Sequence, residues 1–160
     1  MRLRNCIVLL VVFLMAGCGG TEKMAISGAG STDGDALISV GKVVSDTVEV
    51  GVTAVGFKSN IEGVDTAYAA GPYGVYLIPT TEDIAKDWQP FAGGAMLMSL
   101  DGELDFIPKI VAGVIYKPRD VLSPYYMAEK AFPSEDVDAP NIANRDGELY
   151  HWFGLRYRFR

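Results

Sequence analysis

The chain has 160 residues, 49% of them hydrophobic, which suits one domain. Twenty acidic against 14 basic side chains give a net charge of −6 with no basic stripe, which argues against nucleic acid and anionic lipid surfaces as partners. One histidine and two cysteines exclude a Cys/His zinc cluster and leave His151 as the sole candidate for histidine chemistry.

The chain opens with Arg2 and Arg4, an apolar run from Ile7 to Ala16, and small residues up to Cys18, the layout of a signal peptide. An apolar run of about ten residues falls short of the roughly 20 that a helix needs to cross the hydrocarbon core, so removal is expected rather than a permanent span. Leu14-Met15-Ala16-Gly17-Cys18 resembles the lipobox of Gram-negative lipoproteins, with Met15 where that family usually has Leu. The resemblance implies cleavage before Cys18 and a covalent lipid on that cysteine, a diacylglyceryl group plus an amide-linked chain such as palmitate. Cys6 would leave with the signal, and Cys18 would then have no disulfide partner in an oxidising compartment. At about 0.8 kcal/mol per buried CH₂, several chains anchor stably where one does not. Gly19 stands where lipoproteins kept in the inner membrane commonly have Asp, so the resemblance points to the outer membrane. The expected organisation is a signal peptide over 1–17, a lipidated tether over 18–22 and one domain over 23–160. Losing Arg2 and Arg4 leaves 12 basic against 20 acidic side chains, a net charge near −8.

Beyond residue 23, segments rich in Val, Ile, Tyr, Phe and Gly recur between turn clusters, which predicts an all-β domain. Strands are expected at 36–43, 47–57, 68–79, 89–99, 106–117, 121–132 and 148–159, with a weaker one near 23–29. Only Glu82 to Asp87 has the makings of a helical turn. Turn chemistry separates the strands at Ser31-Thr32-Asp33-Gly34-Asp35, Asp101-Gly102, Lys117-Pro118-Arg119-Asp120 and Asp146-Gly147. Pro79, Pro90, Pro118 and Pro133 fall at strand ends, whereas Pro72, Pro108 and Pro124 lie nearer interiors, where they weaken a strand or mark a bulge. Val48, Val50, Val52 and Ala54 oppose Glu49, Gly51 and Thr53 in parity, and Ile110, Ala112, Val114 and Tyr116 oppose Lys109, Gly113 and Lys117.

The last strand has the clearest alternation. Leu149, His151, Phe153, Leu155, Tyr157 and Phe159 share one face; Tyr150, Trp152, Gly154, Arg156, Arg158 and Arg160 share the other. Gly154, Tyr157 and Phe159 resemble the C-terminal assembly signal of outer-membrane β-barrels, departing from it in the trailing Arg160 and in Phe153. The resemblance implies a small antiparallel up-and-down β-barrel of about eight strands, similar to the OmpA/OmpX type. With an even strand count both termini lie on one side, so 44–46 and 118–120 become periplasmic turns, and 58–66 and 133–147 outer loops. Residues 80–88 are then a long turn and 100–105 a short outer loop. Tyr73, Tyr76, Trp88, Phe91, Phe106, Tyr116, Tyr125 and Trp152 fall near strand ends, where aromatic girdles sit. Such a barrel is filled by its own side chains. Glu49, Lys109, Arg156 and Arg158, with Lys117, are the expected interior charges, and Glu49, Glu103 and Asp105 the available partners.

A period of two does not say whether the apolar face meets lipid or a dry core. A membrane barrel without catalytic activity, acting in envelope structure or surface interaction through its outer loops, is the leading expectation. Its partners would be membrane lipid and the assembly and lipoprotein-sorting machinery. The alternatives are a lipid-tethered soluble barrel holding a hydrophobic ligand, and a lipid-modifying enzyme using His151 with Ser123 or Asp146. Asp33 and Asp35, with Glu135, Asp136 and Asp138, lack the ordered spacing of a Ca²⁺ loop and read as solvated charge; no metal or cofactor is expected beyond the lipid on Cys18. Gly28-Ala29-Gly30 and Gly93-Gly94 match no phosphate-binding motif and read as relief of crowding or curvature.

Overall fold

A computed structural model describes residues 24–58, 66–80, 87–100, 106–116, 121–132 and 148–159. Cys18, Glu103, Asp105, Lys117, Glu135, Asp136, Asp138, Asp146, Arg160 and most of the 82–87 stretch lie outside the described residues. The strands are β1 (Met24–Ser31), β2 (Ala36–Ser45), β3 (Val48–Phe57), β4 (Ala67–Leu77), β5 (Trp88–Ser99), β6 (Phe106–Tyr116), β7 (Leu122–Ala131) and β8 (Leu149–Arg158). Each pairs antiparallel with the next, and β8 returns to β1 with Ala25 opposite Arg158 and Ser31 opposite Trp152, closing the barrel. Closure leaves no sheet edge with unpaired backbone groups. The weak candidate at 23–29 is thus a full strand and forms the closing seam.

Strand ends fall within two residues of those expected from sequence. The interior prolines leave the strands intact. Pro72, Pro90, Pro108 and Pro124 all occupy the outward parity, and Pro108 and Pro124 hold their place opposite Met96 and Leu155. Pro72 has a cost: the β4–β5 ladder runs to Ala70 opposite Met98 and resumes at Tyr73 opposite Ala95, so Gly71 and Pro72 are unpaired on that side. A residue without an N–H cannot donate there. The register irregularity lies instead in β2, between Val43 and Ser45.

Odd-numbered residues of β1–β7 and even-numbered residues of β8 face inward. The interior seats its large side chains over inward glycines. A Cβ on Gly51 would stand 2.7 Å from the Tyr73 ring, one on Gly113 2.6 Å from the Phe91 ring, and one on Gly154 2.7 Å from the Tyr125 ring. Each aromatic therefore occupies the space its glycine leaves. Gly93 relieves crowding in the same way, with Val75 Cα 2.7 Å from its would-be Cβ. Gly28 and Gly30 do not, because a Cβ there meets nothing closer than 3.8 Å.

The β1–β2 turn is built by Ser31, whose Oγ accepts the backbone N–H groups of Asp33 and Asp35, with Gly34 at φ 87°. That φ lies in the left-handed region, where only glycine is unstrained.

Candidate functional site

The outer surface of the barrel is apolar, whereas the interior combines apolar side chains with enclosed charges. On the outside, Ile38 is 56% exposed, Ile110 57%, Phe153 59% and Leu155 52%. On the inside, Lys109 and Glu49 are 4% exposed, Arg156 6% and Glu129 2%. A protein folding in water covers its large apolar side chains and solvates its charges; this one leaves large apolar side chains across its outer face and encloses charges beside a buried apolar cluster. The apolar side of β8 faces outward.

Aromatics gather at both rims. At the end where β1 starts and β8 finishes, Trp88 packs on Tyr116 with centroids 4.8 Å apart, and Tyr157 meets Phe159 edge-on at 5.2 Å. At the other end lie Tyr68, Phe106 and Phe132, while Tyr126 against Phe153, at 5.2 Å, stands midway along β7 and β8. Tyr76, Trp88, Phe106 and Tyr116 thus point outward. Tyr73, Phe91, Tyr125 and Trp152 do not: they share the inward parity, so their closeness to strand ends does not make them girdle residues. Trp152 is fully buried, and its indole N–H has no hydrogen-bond partner among the described residues.

Inside, two ion pairs stand at different heights. Arg156 of β8 pairs with Glu49 of β3, and the Tyr73 hydroxyl donates to the other oxygen of Glu49 at 2.7 Å. Lys109 of β6 donates to both oxygens of Glu129 on β7, at 2.8 and 2.9 Å. The Lys109 ammonium also lies 5.4 Å from the Phe57 ring centroid and 5.8 Å from that of Trp152. Arg158, with the inward parity of Arg156, sits half-exposed at the end of β8. Glu129 was not among the carboxylates that the sequence suggested, although its odd position in the 121–132 strand places it inward. Between the ion pairs and an apolar wall that includes Val75, Leu77, Phe91 and Ile115 lies a cavity of about 80 Å³. Sites for drug-sized ligands run to about 300–1,000 Å³.

The remaining candidates are scattered. His151 faces outward on β8, with Nδ1 2.7 Å from the Tyr126 hydroxyl. Ser123 is 1% exposed, faces inward, and lies opposite Arg156, five residues along β8 from His151. At about 3.3 Å per residue and on opposite faces, the two cannot meet, so the pairing of His151 with Ser123 is not realised. Asp35 is 2% exposed and its Oδ1 accepts the Lys58 backbone N–H at 2.8 Å, so it ties the β1–β2 turn to the end of β3 rather than being a solvated loop charge. Asp33 is exposed. No group of three or more metal-ligating side chains occurs among the described residues. Gly154 faces inward beneath Tyr125, while Tyr157 is 45% exposed on the outer face.

No family model matches the chain, and no curated protein sequence does. Solved structures similar to it include the following two. The N-terminal β-barrel domain of Pseudomonas aeruginosa OprF aligns over 86% of this chain and 96% of that one, at 13% identity and a TM-score of 0.61. The de novo designed TMB2.3 aligns over 87% of this chain and 95% of its own, at 16% identity and a TM-score of 0.52. The likeness is one of fold: a closed antiparallel barrel of eight strands.

Proposed function

We propose that this chain is a non-catalytic barrel of the outer membrane, anchored also by lipid on Cys18, that serves envelope structure or surface interaction through its outer loops. The observation that carries the reading is a broadly apolar exterior around an interior that encloses ion pairs. Strand lengths of 8 to 12 residues agree with the roughly 9–11 that a tilted strand needs to cross a bilayer. An interior filled by side chains leaves recognition to loops held on a rigid scaffold, chiefly 58–66 and 133–147. The assembly machinery would read Gly154, Tyr157 and Phe159, and lipoprotein sorting would read the neighbourhood of Cys18.

The tethered soluble barrel fits less well, because its apolar faces would turn inward and its cavity would have to hold a ligand. A lipid-modifying enzyme would need a nucleophile or carboxylate beside His151, and among the described residues its hydrogen-bond partner is a tyrosine. His151→Ala is expected to leave every envelope lipid unchanged by mass spectrometry; altered acylation would revive that reading.

The proposal is tested by migration on SDS gels with and without boiling, for the membrane-extracted protein and for Cys18→Ser. The unlipidated variant is expected to stay with the outer membrane and to shift on heating. A protein that becomes soluble and shows no shift was held by its lipid alone, and the barrel is then not integral.

A further inference from the structure

The outward faces of the strands carry three Asp, Glu, Lys, Arg or His side chains among the described residues: Lys42, Lys130 and His151. All are basic, in a chain whose net charge is −6. The acidity that argues against anionic partners for the whole chain therefore does not describe this surface. Lys42 stands towards the end of β2, at the rim where β1 starts and β8 finishes. Lys130 and His151 stand together at the opposite rim, the one from which the 58–66 and 133–147 connections leave.

Their placement is set by the β7–β8 register. Lys130 lies opposite Leu149 and Ala128 opposite His151, so Lys130 and His151 are diagonal neighbours on the same face. Such neighbours are roughly 7–8 Å apart between Cα atoms, within the span that one tetrahedral anion bridges with long side chains. Aromatic neighbours orient both. The Lys130 ammonium lies 5.6 Å from the centroid of Phe132, two residues nearer the rim, so the side chain reaches away from the apolar band and towards the headgroup level. The Tyr126 and His151 rings stack at 6.0 Å and 17° with the hydroxyl on Nδ1. In the tautomer in which Tyr126 donates to Nδ1, the imidazole carries its proton on Nε2, a donor on the ring's other nitrogen.

We propose that Lys130 and His151, oriented by Phe132 and Tyr126, form a site for a phosphate monoester on the headgroup of an outer-leaflet lipid. The proposal rests on the membrane-barrel reading and deepens it. Lys130 supplies the point charge and His151 a directional N–H, a pairing suited to phosphate oxygens. Phe153 and Leu155, 59% and 52% exposed on the same face and further from that rim than His151, lie where the acyl chains of that lipid would run. A basic pair on an otherwise uncharged band is costly in hydrocarbon and favourable only at headgroup depth.

The test uses the full mature chain in phosphatidylcholine nanodiscs, with native mass spectrometry of retained lipid. The probes are lipid A, which carries two phosphate monoesters, and the same lipid enzymatically dephosphorylated. The wild type is expected to retain lipid A in preference, and Lys130→Gln with His151→Gln to lose that preference by roughly tenfold. Lys42→Gln, at the other rim, should keep it. Excess inorganic phosphate should not displace the lipid. Equal retention of both probes, a double variant that keeps the preference, a Lys42→Gln loss as large, or displacement by inorganic phosphate would each overturn the site. A heat shift on gels shows that the chain has inserted. An inserted protein without preference sinks the headgroup site alone, whereas a protein that never inserts sinks the membrane reading with it.

Discussion

Arg156 illustrates what a single residue contributes inside this barrel. Removing two charges from water is expensive, and their attraction repays it only when the pairing is complete. Glu49→Ala leaves Arg156 without the carboxylate that it pairs with and the Tyr73 hydroxyl without its acceptor. The expected loss is about 3–5 kcal/mol of unfolding free energy from urea titrations in micelles, whereas replacing both charges by Glu49→Leu with Arg156→Met should recover most of it, short of the Tyr73 hydroxyl left without its acceptor. An equal loss in the single and double variants would show that the pair matters through shape rather than charge. Gly51 tests steric fit instead. Gly51→Ala drives a Cβ into the Tyr73 ring and the neighbouring strand, and overpacking of this kind costs about 1–3 kcal/mol. Parity made Glu49, Lys109 and Arg156 legible as a set, since each alternates against apolar neighbours. Pairing was not legible. Glu49 lies 107 residues from Arg156, and their meeting depends on where β3 stands across the closed barrel. The aromatics show the same limit: Tyr73 and Tyr76 are both near a strand end, and only parity separates the core residue from the girdle residue.

At the scale of the element, β8 carries the most information, because its two faces differ at every position. Leu155→Arg places a charge on the band near the middle of β8, and near the bilayer midplane this should cost about 2–4 kcal/mol in refolding into vesicles. The Gly154, Tyr157 and Phe159 pattern makes a different prediction. Phe159→Ala or Tyr157→Ala should reduce the heat-shifted form in outer-membrane fractions while leaving refolding of the purified chain largely intact, because assembly is affected rather than stability. Normal levels of both variants would show that these residues are not the signal. The prolines of β4, β6 and β7 blurred the sequence reading because a missing N–H is usually tolerated only at an edge or a bulge. Here Pro72 costs the β4–β5 ladder two pairings, and Pro108 and Pro124 remain in register.

For the whole molecule, alternation gave the strand count and the order of the faces, but not which face meets which medium. Period two is the same in a soluble sandwich and in a membrane barrel. What separates them is which face the closed sheet turns inward, and closure itself depends on β1, the strand with the weakest signal in the chain. Its alternation is poor because Ser27, Gly28, Ala29 and Gly30 are small on both faces. Once β1 pairs with both β2 and β8 no edge remains, and the burial pattern shows Glu49, Lys109, Glu129 and Arg156 enclosed while Ile38, Ile110, Phe153 and Leu155 lie outside. The even strand count sets the start of β1 and the end of β8 at one rim of the barrel.

The measurement that bears most directly on this arrangement is nitroxide scanning along β8 of the Cys18→Ser protein in phosphatidylcholine vesicles, with single labels from residue 152 to 157. Collision with oxygen, which concentrates in lipid, should be high at 153, 155 and 157 and low at 152, 154 and 156. The opposite phase, or labels at 153 and 155 that collide preferentially with a water-soluble nickel chelate, would place the apolar face away from lipid and contradict a membrane-spanning barrel.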